Sequence, residues 1–252
     1  MQSTDLLVIA AHPDDAELFC GGTIAKMADS GYRVAILDLT AGELASNGSV
    51  AGRRKESEAA AALLGLSLRK NLALPDGGLS PESSQQLRAL AGTLREIRPG
   101  LIMAPYYRAR HPDHSAAGLL AKKALFFAGL KKYETEKSGD AVITGVPLIY
   151  YQMRYSFRPS FLVDISDVSD KKYEAVSCYS SQLVRSDQAS PTLLNEPLSL
   201  SSLKARDAYL GAMIGASAAE GFLVEHPLAV NDPVGFFKDN LKGGPLFFQE
   251  PV

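Results

Sequence analysis

The chain has 252 residues, 46% of them hydrophobic, and its 26 Lys/Arg and 28 Asp/Glu leave a net charge of −2. So large an apolar fraction excludes a disordered chain, and well-mixed charge with no basic stripe argues against a nucleic-acid partner. No apolar run approaches the ~20 residues that span a bilayer, the N-terminal residues show no signal-peptide pattern, and Cys20 and Cys178 form no disulfide framework. A cytoplasmic protein without membrane association is expected.

The first 130 residues alternate strand and helix patterns. Residues 5–11 read as a buried strand and 17–30 as a helix ending near Gly31. A second strand follows at 34–39, and then an Ala-rich helix at 53–64 closed by Gly65. Residues 71–74 form a short third strand, stopped by Pro75-Asp76-Gly77-Gly78. Residues 82–97 are amphipathic, with Leu87, Leu90, Leu94 and Ile97 at helical spacing. A fourth strand occupies 101–104 and a helix 115–128. Beyond residue 145 the pattern changes: 148–152 and 161–164 read as strands, 171–178 and 203–214 as helices, and 180–202 as a long irregular loop. The tail from 220 to 252 has little periodicity; its aromatics (Phe222, Phe236, Phe237, Phe247 and Phe248) are expected to pack on the core or to make a subunit contact. With no internal repeat and no clear linker, residues 1–252 read as a single domain. Repeated strand–helix units imply an α/β fold, a Rossmann-like parallel sheet of order 3-2-1-4-5 flanked by helices, with an elaborated C-terminal part.

Directly after the first strand stands Ala11-His12-Pro13-Asp14-Asp15-Ala16-Glu17, and after the fourth strand stands His111-Pro112-Asp113-His114. The chain has four histidines, and three of them fall in these two clusters. In a sheet of that order the first and fourth strands are neighbours, and ligands bind outside their carboxyl ends. The fold therefore brings the clusters together. Asp14, Asp15 and Asp113 also read as helix N-caps, and His226 as an ordinary loop or core residue. Two His-Pro-Asp turns at strand-to-helix junctions favour a metal site over capping.

His12, Asp15 and His114 are the candidate ligands: two imidazoles and one carboxylate suit Zn²⁺, with Fe²⁺ or Co²⁺ also compatible, and leave one position open. Asp14, next to a ligand, is the candidate general base. His111 is expected to act as an imidazolium that stabilises an oxyanion or protonates a leaving amine, with Asp113 orienting and charging it. Gly21-Gly22 lies inside the first helix rather than in a dinucleotide-binding turn, and is expected to allow close helix–sheet packing. Cys20 reads as a small buried hydrophobe.

These motifs, with Gly21-Gly22-Thr23, resemble the LmbE/PIG-L family of zinc-dependent N-deacetylases, which act on N-acetylglucosamine derivatives. The resemblance implies the same ligands and base, with His111 assisting the tetrahedral intermediate. Further runs are similar to the bacillithiol-biosynthesis branch: Leu39-Thr40-Ala41-Gly42-Glu43, Arg53, Asn71-Leu72-Ala73-Leu74-Pro75-Asp76, Arg110, Pro159-Ser160-Phe161-Leu162-Val163-Asp164, Tyr179-Ser180-Ser181-Gln182 and Ala219-Glu220-Gly221-Phe222. That branch hydrolyses N-acetylglucosaminyl malate. Two positions depart from it: Gly77-Gly78 and Ala109 stand where the branch often has an arginine and an acidic residue.

A dicarboxylate aglycone needs cationic anchors, and Arg53 and Arg110 are the candidates. Asp76 is expected to accept hydrogen bonds from sugar hydroxyls, and Glu43 to line the sugar pocket. The expected partner is a small N-acetylglucosamine conjugate, and the resemblance favours a homo-oligomer. Rival readings are another N-acetylglucosamine conjugate, a thiol S-conjugate amide, and a non-catalytic sugar- or metal-binding module.

Overall fold

A computed structural model describes residues 3–135, 141–185 and 189–241. In chain order its elements are β1 (Leu6–Ala10), α1 (Asp15–Asp29), β2 (Val34–Asp38), α2 (Val50–Leu64), β3 (Leu68–Asn71), α3 (Ser84–Ile97), β4 (Leu101–Pro105), α4 (Pro112–Ala128), β5 (Leu148–Tyr151), β6 (Phe161–Asp164), α5 (Ser169–Ser177), α6 (Ser180–Leu183), α7 (Ser199–Ala212), β7 (Ala219–Leu223) and α8 (Pro233–Asn240). One sheet runs β3-β2-β1-β4-β5-β7-β6. Its first five strands are parallel, in the expected 3-2-1-4-5 order. β7 pairs antiparallel with both β5 and β6.

β1 and β2 are buried along their whole length, as strands covered on both faces must be. Alternate residues of β1 feed two cores. Leu6, Val8 and Ala10 pack with Ile24 of α1, Leu64 of α2 and Val176 of α5. Leu7 and Ile9 pack with Leu90 and Leu94 of α3 and Leu120 of α4. The amphipathic stripe at Leu87, Leu90, Leu94 and Ile97 is therefore the inward face of α3.

Three expectations are corrected. The third strand is Leu68–Asn71 rather than 71–74. It is a sheet edge, hydrogen-bonded to β2 alone, and needs less apolar sequence than a central strand. The tail contains a strand and a helix: β7 inserts between β5 and β6, and α8 opens on Asp232, whose side chain accepts from the Val234 and Gly235 amides. The 180–202 stretch begins with α6 and runs into α7 at Ser199. Of the tail aromatics, Phe222 is buried in β7, whereas Phe236 and Phe237 are 39% and 48% exposed on α8. Phe247 and Phe248 lie outside the described residues.

α1 breaks at Cys20, a buried residue with non-helical φ −144°. The second segment is capped by Glu220 of β7, which accepts from the Gly22 and Thr23 amides and the Thr23 hydroxyl. Lys172 of α5 pairs with Glu220 and with Asp207 of α7; all three are fully buried. A Cβ on Gly22 would stand 2.7 Å from Ile165, just past β6, and one on Gly21 3.2 Å from Lys172 of α5. The glycines thus allow close packing of α1 against these neighbours rather than, as expected, against the sheet itself. Among the described residues no helix is long and apolar enough to cross a membrane.

Candidate active site

The two His-Pro-Asp turns meet at the carboxyl ends of the adjacent strands β1 and β4. The first is the turn from β1 into α1. There Asp14 takes φ 115°, a left-handed conformation costly for a residue with a Cβ. The capping reading fails for all three aspartates. Asp14 makes no side-chain cap bond. Asp15 accepts from the His12 amide at 2.9 Å, behind its own helix. Asp113 accepts from Gly77 and Leu79, while His111 itself caps α4.

Donor atoms of three residues converge. His12 Nδ1 lies 3.3 Å from His114 Nε2 and 3.4 Å from Asp15 Oδ2, and His114 Nε2 lies 3.1 Å from Asp15 Oδ1. Donors about 2.0–2.2 Å from one tetrahedral ion are separated by roughly 3.3–3.6 Å. The spacing and the N,N,O donor set therefore fit zinc coordinated at three positions.

The far side of His12 is also held. Its Nε2 lies 3.0 Å from Asp76 Oδ1 and 3.5 Å from Asp113 Oδ2. Both carboxylates are fixed in turn: Asp76 by the Leu44 amide at 2.9 Å, Asp113 by the Gly77 amide at 2.7 Å. A proton on Nε2 leaves the Nδ1 lone pair facing His114 and Asp15, the carboxylate–histidine–metal arrangement. Burial opposes a charged ring, but Asp113, Asp15 and Asp76 outweigh it and raise the His12 pKa to about 12. A cation seated against Nδ1 thus replaces a proton. Asp113 consequently orients His12 rather than His111, because the turn at Gly77 and Leu79 draws its carboxylate that way. Asp76 likewise spends both oxygens on His12 and Leu44.

Asp14 is 4% exposed and accepts from Arg53 Nη2 at 2.5 Å. Burial, and to a lesser degree Asp15, pushes its pKa up to about 6 against the Arg53 charge. Arg53 also donates to the Pro13 carbonyl at 3.0 Å. Gly42, with φ +68°, leaves it room, since a Cβ there would meet the guanidinium at 2.8 Å. The expected substrate anchor is therefore the partner of Asp14. His111 Nδ1 accepts from the Asp113 amide at 3.2 Å, which puts its proton on Nε2. Burial and the charges of His114 and His12 lower its pKa. The neutral ring is favoured over the expected imidazolium.

A cavity of about 670 Å³ opens over this cluster and is lined by His12, Asp14, Asp15, Arg53, His111 and His114. Asp76, Gly77, Ala109 and Arg110 line it too, so both departures from the bacillithiol branch stand at the site. Glu43 does not. It is exposed and accepts from the Asp76 amide at 2.7 Å, which makes it a brace for that turn. The second half of the chain adds to the lining Gln182, from the run at 179–182, and Arg154, Thr192 and Glu196, which no motif marked. Arg154 sits three residues past β5, and the strand-end rule applied to that strand finds it. Among the described residues neither Arg110 nor Arg154 has a hydrogen-bond or ion-pair partner. Partial desolvation of the guanidinium by the surrounding protein, and next the Arg110 charge, lowers the Arg154 pKa, although the residue as a whole is exposed.

The GlcNAc-PI de-N-acetylase (PIG-L) family model matches residues 7–125. The diacetylchitobiose deacetylase of Thermococcus kodakarensis is 34% identical over 191 residues, covering 70% of this chain and 69% of the relative. The chain belongs to the PIG-L (LmbE) family. As a PIG-L enzyme it is a metal-dependent N-deacetylase. Another relative, the 4-oxalmesaconate hydratase of Pseudomonas putida, is 28% identical over 197 residues, covering 70% of this chain and 73% of its own length. The 1D-myo-inositol 2-acetamido-2-deoxy-alpha-D-glucopyranoside deacetylase of Mycobacteroides abscessus is 26% identical over 251 residues, covering 79% and 89%. The crystal structure of a conserved protein of Thermus thermophilus superposes with a TM-score of 0.80 at 40% identity, over 90% of this PIG-L chain and 97% of that one.

Proposed function

We propose that this enzyme hydrolyses the acetamide of an N-acetylglucosamine conjugate whose aglycone is anionic, N-acetylglucosaminyl malate being the first candidate. The observation that carries the chemistry is donor atoms of three residues, each pair of residues approaching to 3.1–3.4 Å, beside an arginine-held carboxylate, Asp14. His12, Asp15 and His114 hold zinc, which when bound supplies Lewis acidity to water and to the substrate carbonyl. Asp14 takes the proton of the attacking water, and Arg53 keeps its carboxylate aimed into the cavity. His111 donates from Nε2 to the oxygen that gains charge. The proton then passes from Asp14 to the departing amine. Asp76 and Asp113 fix the His12 ring, and Glu43 braces the turn that carries Asp76.

The anionic aglycone is supported by Arg110 and Arg154, two guanidiniums that line the same cavity and have no hydrogen-bond or ion-pair partner among the described residues. Like charges brought together without a counter-ion favour a carboxylate or phosphate between them. Arg154 thus replaces Arg53 as partner to Arg110. Family membership in an enzyme family displaces the non-catalytic module reading.

The test is amine release from N-acetylglucosaminyl malate beside N-acetylglucosaminyl inositol, diacetylchitobiose and a thiol S-conjugate amide, with 4-oxalmesaconate hydration as a control. Each is run with chelator and after zinc re-addition. Preference for malate, restored by zinc, supports the full reading. Equal or better rates on the uncharged sugars leave the deacetylase and remove the anionic aglycone.

A further inference from the structure

Beside the main cavity lies a second one of about 420 Å³, within the roughly 300–1,000 Å³ range of small-molecule sites. Its own walls are Val176 of α5, Leu183 of α6, and Leu198, Leu200 and Leu203 at the start of α7. Leu18, Phe19, Met153, Arg154, Leu193, Leu194 and Glu196 line both cavities, so the two adjoin, with the charged residues Arg154 and Glu196 at their shared border. Arg206 borders the annex, but its guanidinium is paired with Asp207 at 2.8 Å and lies over the Phe19 ring at 5.3 Å. Leu193 and Leu198 remain 47% and 72% exposed. A mostly apolar hollow that borders a reaction cavity is a place for an apolar part of the reactant.

Which part follows from position. None of His12, Asp14, Asp15, His111 and His114 lines the annex. A scissile acetamide held at those residues keeps its acyl group with them, so the annex meets the far end of the sugar, where the aglycone leaves. We propose that the annex gives this enzyme a second substrate class, N-acetylglucosaminides with an alkyl or aryl aglycone. The proposal rests on the deacetylase reading and not on the malate one. It gives the stretch between α6 and α7 a role as the wall of an aglycone subsite.

The experiment compares hexyl and methyl N-acetyl-β-glucosaminide on the zinc-loaded full chain, by acetate release and by calorimetric binding. Each fully buried methylene is worth about fourfold, so a partly covered hexyl chain raises kcat/KM and affinity about tenfold or more. Leu198→Gln and Ser202→Trp change the annex alone, at exposed positions. They are expected to cut the hexyl advantage below threefold and to leave methyl turnover as it was. Equal affinity for the two glycosides overturns the proposal whether or not either is hydrolysed. So does an advantage that survives both variants, one that follows N-hexanoyl in place of O-hexyl, or a change in sedimentation upon Leu198→Gln in its stead. Tighter hexyl binding without acetate release supports the subsite and counts against the deacetylase reading.

Discussion

The half of the sheet built by β1 to β4 and the half built by β5 to β7 contribute to one cavity in different ways. The first supplies His12, Asp14, Asp15, His111 and His114, and the groups nearest the reaction are locked from behind by Arg53, Asp76 and Asp113. The second supplies Arg154, Thr192 and Glu196 from loops and Gln182 from the one-turn helix α6, and Arg154 has no hydrogen-bond or ion-pair partner among the described residues. Groups that must hold a metal and move a proton need fixed geometry, because an error of an ångström is costly there. Groups that select an aglycone need reach, and loops provide it. On the proposed function, the first half sets the reaction and the second sets what is brought to it.

The largest effects are expected where the first half is broken. His12→Ala removes one of three ligands, and zinc retention after dialysis should fall to background together with turnover. Asp14→Asn keeps all three ligands, so zinc should be retained while kcat drops about 10²–10⁴-fold, the usual worth of a general base. Metal analysis beside amine release separates the two variants. Substantial turnover in Asp14→Asn removes Asp14 from the proton transfer.

Next comes the joint between the halves. Glu220 reaches from β7 to cap the second segment of α1 and to pair with Lys172, all at zero exposure. Glu220→Ala leaves two amides and an ammonium short of a buried partner, and should cost about 3–5 kcal/mol of stability. Thermal unfolding measures it. A small loss would mean that Asp207 alone compensates Lys172.

Asp113→Asn should be milder. Second-shell carboxylates typically alter metal affinity about 10–100-fold, so zinc competition against a chelator should show a weakening in that range with a normal fold. If zinc affinity is unchanged while the rate falls, Asp113 acts on His111 after all.

The same two halves differ in how much their sequence reveals. The parallel strand order and the His12–Asp15 and His111–His114 turns are legible because each lies in one contiguous run, and because neighbouring strand ends must share a crevice. β7 escapes notice because Glu220 and Gly221 interrupt its apolar pattern, and the partners that make Glu220 tolerable, Lys172 and the α1 break, are tertiary. β3 is misplaced because Leu72–Leu74 is more apolar than Leu68–Asn71. Arg69 can lie in that edge strand since Asp38 and Glu17 neutralise it from β2 and α1. The roles of Asp113 and Arg53 are hidden for the same reason. Their residue types announce a charge at the site, but the turn at Gly77 and the space beside Gly42 decide which neighbour each one meets.

The smallest expected effect probes the second half alone. Arg154 is exposed, so losing its charge leaves no buried partner behind and the fold should not notice. A charge-assisted hydrogen bond is worth about 1.5–3 kcal/mol when buried, and solvent screening at this rim reduces that to about tenfold in affinity. Arg154→Ala should therefore raise KM for N-acetylglucosaminyl malate about tenfold and leave kcat nearly untouched. The same variant should hydrolyse the methyl glycoside as before. High salt should shrink the malate difference, since screening acts on exposed pairs first. A fall in kcat on both substrates would carry Arg154 across to the reacting group, and the division of labour between the two halves would be lost.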